Sequence, residues 1–197
     1  AGRAATARAV IDSAPIGPCH DPTVQSDPEI LITAGRVRGR WRTAADGSRS
    51  AAFLGIPFAE PPVGSGATAQ RGDPGITLIP EPSIPDDGTL NVNVVTPDPG
   101  AAGLPVLVWI HGGGFFSGSP ASPWYDGRAF ARDGAATVTI SYRLGVDGFG
   151  HIDGAPSNRG VRDWLAALEW VQENIAAFGG DLARVTIAGQ SAGGVRC

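Results

Sequence analysis

The stretch Val106-Leu107-Val108-Trp109-Ile110-His111-Gly112-Gly113-Gly114-Phe115 decides the class of fold. Its first half is an apolar run too short for a helix, which predicts a strand over Pro105 to Ile110 buried on both faces, as in a parallel sheet. Its second half places three glycines directly after that strand. Open α/β sheets bind ligands at the carboxyl ends of their strands, so exposed backbone amides here form a candidate site. A flexible connector is the plainer alternative for such a loop.

Working outward, Ala136 to Tyr142 reads as another β-branched strand and Arg184 to Ala188 as a third. Between them Val161, Trp164, Leu165, Leu168, Val171, Ile175 and Phe178 recur at three- and four-residue spacing, predicting an amphipathic helix. Ser157 or Asn158 can cap its start and Gly179 its end. A short helix over Tyr125 to Arg132 is expected to end before Gly134. Strands alternating with helices through short links predict a doubly wound α/β sheet. Upstream, Leu90 to Val95 and Ala51 to Phe53 read as strands. Glu29 to Ala34, a turn at Gly35, and Val37 to Trp41 read as an antiparallel hairpin.

Residues 1–28 lack periodicity and are read as an N-terminal arm, with 29–197 as the domain proper. Pro61 to Gly88 is rich in Pro and Gly and reads as loop; its Arg71-Gly72-Asp73 is ascribed to chance. The 197 residues carry a net charge of −4 with 42% hydrophobic residues, a globular composition. All fifteen basic residues are Arg, and no basic field favours nucleic acid or an anionic membrane. No apolar run reaches transmembrane length. Cys19 and Cys197 are expected to be unrelated thiols, and no residue set has metal-ligand spacing.

Gly189-Gln190-Ser191-Ala192-Gly193, at the end of a predicted strand, has the G-x-S-x-G pattern of a nucleophile elbow, where glycines relieve crowding around a sharply turned serine. Alone it is a weak signal, since chance would supply it in about one of four chains so rich in glycine. The glycine loop strengthens it, because acyl transfer needs preorganised N–H donors where negative charge develops. In α/β-hydrolases the acid and histidine follow the serine in chain order. That order makes His151 a weak candidate base, and Asp147, Asp153 and Asp181 fail the same test as the acid. His20 is expected to be solvated, and His111 to shape the loop rather than act as base.

These residues together resemble the type-B carboxylesterase family. The resemblance runs from Gly35 to Gly194 and rests on Gly35-Arg36-Val37-Arg38-Gly39, the segment Phe53 to Gly64, and Leu90 to Val94. It continues through Val108 to Phe115, Ser141 to Gly145 with Gly148-Phe149, Ala167 to Val171 with Asn174-Ile175, Phe178 to Asp181, Val185 to Ile187 and the elbow. It implies a partial α/β-hydrolase fold: a mostly parallel sheet with an N-terminal antiparallel hairpin, truncated at the elbow. It implies Ser191 as nucleophile, with the backbone N–H groups of Gly113, Gly114 and Ala192 as oxyanion hole. It further implies a small-molecule carboxylic ester as substrate, with no cofactor or metal.

Against the family pattern, Ser65 to Asp87 is short, and Gly88 stands where many members carry a cysteine. No Trp lies between Pro61 and Gly88 to serve as a choline-binding aromatic, which disfavours a cholinesterase. Val195-Arg196-Cys197 does not match. Only six residues follow Ser191, so the triad acid, the histidine and a required C-terminal half are expected to be missing and this chain to be inactive alone. A non-catalytic interaction module is the alternative. The compartment stays open, with a processed, secreted protein favoured over a cytoplasmic one.

Overall fold

A computed structural model describes residues 26–59 and 90–195. Residues 1–25 of the arm, the Pro61–Gly88 segment, His20, Cys19 and Cys197 lie outside the described residues. The elements in chain order are β1 (Glu29–Ile32), β2 (Gly35–Arg38), β3 (Arg40–Thr43), β4 (Arg49–Pro57), β5 (Asn91–Thr96) and β6 (Leu104–Ile110). They continue with α1 (Arg128–Arg132), β7 (Ala136–Ile140), α2 (Gly145–Phe149), α3 (Arg159–Asn174) and β8 (Gly180–Gly189). β1 and β2 pair antiparallel as their own two-stranded sheet. The hairpin turns at Thr33-Ala34 rather than Gly35, and Trp41 belongs to β3 in the main sheet.

That main sheet has six strands in the order β3-β4-β5-β7-β6-β8. It is mixed rather than mostly parallel: β3, β4, β5 and β7 pair antiparallel in succession, and only β6–β7 and β6–β8 are parallel. The expectation of a mostly parallel sheet weighted the segments with helical crossovers and missed how many strands join without them. The parallel part follows the crossover logic. From β6 the chain steps out through α1 to β7, then returns through α3 to β8 on the far side of β6. The carboxyl ends of β6 and β8 therefore lie side by side.

Alternation along the strands sorts the side chains into two layers. One face presents Ala51, Phe53, Val92, Val94, Val106, Val108, Ile110, Val138 and Ile140, packed with Trp164, Ala167, Trp170 and Val171 of α3. Phe178, in the 3-10 turn after α3, meets the Phe53 ring edge to face at 5.1 Å. The opposite face is smaller and more polar. Ala52 and Val95 pack on Ala131 of α1, while the Asn93 amide donates to Thr139 Oγ1 and the Thr139 hydroxyl to the Pro120 carbonyl.

The buried residues of α3 are Arg159, Gly160, Asp163, Trp164, Ala167, Trp170, Val171 and Asn174. Leu165, expected inside, is 56% exposed. The stripe is rotated from the apolar pattern because Asp163 and Asn174 sit on it, bonded to Arg143 and Thr33. Asn158 precedes the helix in a left-handed conformation (φ 54°) and makes no side-chain cap bond. The short helix expected over Tyr125 to Arg132 is a 3-10 turn at Pro123–Tyr125 followed by α1.

Candidate active site

β6 and β8 end in register, Ile110 opposite Gly189. The Gln190 N–H then donates to the Ile110 carbonyl (3.2 Å), one step past the paired strands. Immediately afterwards the chain turns. Ser191 has φ 50°, a left-handed conformation that costs a non-glycine residue and persists only where surroundings impose it. A 3-10 turn over Ser191–Gly194 follows. Its tightness explains the flanking glycines. A methyl group on Gly193 would strike the Ile110 carbonyl and lie 2.6 Å from the His111 carbonyl, and one on Gly189 would strike the Gly193 carbonyl. The Ser191 side chain is exposed and Ala192 is buried.

The glycine loop packs directly on this turn. A methyl group on Gly112 would sit 2.9 Å from the Gln190 carbonyl oxygen and 3.3 Å from Ser191 Cβ. Internal bonds orient its peptides. The Gly113 carbonyl accepts from the Phe116 N–H (3.2 Å), the Ser117 N–H (3.0 Å) and the Ser117 hydroxyl (3.1 Å). The Gly112 carbonyl faces His111 Nδ1 at 2.8 Å. In a trans peptide the N–H points opposite to its carbonyl, so the Gly113 and Gly114 N–H groups are turned away from these partners. Among the described residues neither N–H meets an acceptor, nor does that of Ala192. Gly113 (φ 122°) and Gly114 (φ 64°) occupy backbone conformations that favour glycine.

Groups that sequence reasoning did not single out brace the loop from behind. The Tyr142 hydroxyl donates to the His111 carbonyl (2.7 Å), and its ring stacks on the imidazole with centroids 4.4 Å apart. The Gly145 N–H donates to the Phe115 carbonyl (2.6 Å). Between those two residues, the Arg143 guanidinium makes a bidentate pair with buried Asp163 of α3, whose carboxylate also accepts the Arg143 N–H. That carboxylate holds the guanidinium more firmly protonated than usual. On the elbow side, the Tyr125 hydroxyl donates to Gln190 Oε1 (2.8 Å). A motif near Tyr142 was legible in the Ser141–Gly145 segment; Asp163 carried no such signal.

Among the described residues, no hydrogen bond joins His111 or His151 to Ser191. Burial pushes the His111 imidazole down to about 4, against a smaller upward pull from its bond to Gly112. His151 is 85% exposed and sits 3.1 Å from Asp153. Asp181 caps the Ala183 N–H, and Asp147 lies in α2. Among the described residues no His, Cys, Asp and Glu side chains cluster as a metal site. None of the described helices is long and apolar enough to cross a membrane.

The chain is similar to known proteins over most of its length. Acetylcholinesterase of Danio rerio is 38% identical over 209 residues, covering 88% of this chain and 33% of that protein. Para-nitrobenzyl esterase of Bacillus subtilis (strain 168) is 39% identical over 188 residues, covering 82% and 37% respectively. Human carboxylesterase 3 is 40% identical over 203 residues, covering 86% and 35%. The chain thus spans about a third of the length of the curated relatives it matches. The model of the carboxylesterase family matches residues 69–196, a span that takes in both the glycine loop and the serine turn. With that match over more than half its length, the chain belongs to the carboxylesterase family.

Proposed function

We propose that this chain carries the nucleophile and oxyanion hole of a serine carboxylic-ester hydrolase. The observation that carries the reading is the contact between an exposed serine in a left-handed turn and a glycine loop with unpartnered amides. Ser191 Oγ attacks the ester carbonyl carbon as a base removes its proton. The carbonyl oxygen becomes an oxyanion, met by the N–H groups of Gly113, Gly114 and Ala192. Collapse of the tetrahedral species expels the alcohol, which takes the proton back from the base. Water then repeats the sequence on the acyl-enzyme and releases the acid.

In the α/β-hydrolase chain order the base and its acid partner follow the nucleophile, and residues 192–197 contain no histidine or carboxylate side chain. An unassisted serine hydroxyl is a weak nucleophile at neutral pH. The 197-residue chain alone should therefore hydrolyse p-nitrophenyl acetate no faster than its Ser191→Ala variant. Turnover that disappears in Ser191→Ala would overturn this and direct attention to His151. In a protein that joins this segment to a downstream acid and histidine, a fluorophosphonate should label Ser191 covalently. Absence of that label would favour an interaction module instead.

A further inference from the structure

His111 is a buried imidazole that the proposed chemistry leaves without a task, and its surroundings define one. The Gly112 carbonyl, 2.8 Å from Nδ1, can only accept, so Nδ1 must carry the proton. Nε2 is buried with no partner among the described residues. The opposite tautomer would strand an N–H donor there and set a lone pair against the carbonyl. The imidazolium would also strand that donor, and would bury a charge as well. Both ring nitrogens therefore favour one neutral form. The ring is also clamped: Tyr142 stacks on one side, and a methyl group on Gly118 would strike both Nδ1 and the Gly112 oxygen.

We propose that His111 is a positioning residue that aims the Gly113 amide: its Nδ1–H holds the Gly112 carbonyl and thereby turns the Gly113 N–H toward the serine side. The logic is that of one rigid peptide. Carbonyl and following N–H are antiparallel across a planar bond, so fixing one fixes the other. Gly112 and Gly113 have no side chains to hold this plane, and Gly113 has φ 122°. Without the bond, the peptide is free to rotate as a unit and withdraw a donor. Preorganised donors are effective because they need no reorientation as charge develops. This task deepens the esterase reading and rests on it for its functional meaning, while the bond itself does not.

Nitrogen-15 NMR of the intact 197-residue chain tests the bond without any need for turnover. Long-range imidazole correlations should show His111 protonated at Nδ1 and bare at Nε2, with a single Gly113 amide cross-peak. A proton on Nε2, or rapid tautomer averaging, would overturn the proposal without any variant. In His111→Leu the Gly113 cross-peak should move and split or broaden, while His111→Asn, whose amide can donate from near the Nδ1 position, should restore a single peak. Gly118→Ala should disturb it with the imidazole still present. A Gly113 cross-peak unchanged in His111→Leu would overturn the proposal, as would failure of Asn to rescue it. Fluorophosphonate labelling failing while these signatures hold would instead count against the esterase reading.

Discussion

β7 and β8 flank the same strand in the same parallel sense and contain the same tripeptide, yet they are covered very differently. Val138-Thr139-Ile140 is buried throughout, whereas Val185-Thr186-Ile187 is half open, with Ile187 40% exposed. The residues cannot account for the difference, because they are identical. Position does: β7 lies between β5 and β6, while β8 is an edge strand among the described residues. Strand formation is thus a local property of β-branched residues, and burial is conferred by neighbours. The glycine loop grows from the well-covered interior strand β6, and the serine turn from the open edge.

Three measurements would break or sharpen that contrast. The largest effect is expected at the brace beneath the covered side. Asp163→Ala leaves Arg143 without its bidentate partner, and loss of one member of a buried pair costs about 3–5 kcal/mol. Urea denaturation should show it; a loss below about 1 kcal/mol would mean that Arg143 swings out to water. Next, Ile140→Ala should cost about 2–5 kcal/mol, whereas Ile187→Ala should cost under about 1 kcal/mol. Equal costs would mean that β8 is covered in solution and would erase the contrast.

The smallest effect is a pH slope. His111 is held below its ordinary value of 6.5, so below that pH the unfolded chain binds the extra proton more readily than the folded one. The neutral form's full stability is present above pH 6.5 and is lost as pH falls toward about 4. The loss should be roughly 1 kcal/mol per pH unit at its steepest, and His111→Asn should remove it. The imidazole packs against Tyr142, whose phenol burial pushes upward and keeps neutral throughout this range. A slope unchanged in His111→Asn would place the acid sensitivity in the carboxylates instead.

The elements around the site were largely legible because their signals are local. A β-branched run, three consecutive glycines and a G-x-S-x-G turn each declare themselves within ten residues. What escaped depends on pairing across long sequence separations. Asp163 reads as an ordinary exposed helix residue until Arg143 is placed opposite it, twenty residues upstream. Asn174 likewise lies inside, where it accepts from the Thr33 N–H and hydroxyl and donates to the Trp170 carbonyl. The buried stripe takes in these two polar residues with Ala167 and Trp170, while Leu165 of the apolar pattern lies outside it. α2 gave no periodicity, being five residues long, and is held largely by the buried Arg159, which donates to the Val146, Asp147 and Gly150 carbonyls. The sheet's antiparallel half was hidden because a strand's sequence does not state the direction of its neighbour.

The carbonyl of Ile110 ends the glycine loop's strand, receives the Gln190 N–H, and is the atom on which Gly193 closes. Serine turn and glycine loop are therefore referred to one datum, in the way two instruments are bolted to one plate. A displacement of β6 by solvent, temperature or a distant substitution carries both along together. Their separation, on which the proposed acyl transfer would depend, is set by contacts to that one carbonyl. It is sensitive to changes within the few atoms between Ile110 and Gly193.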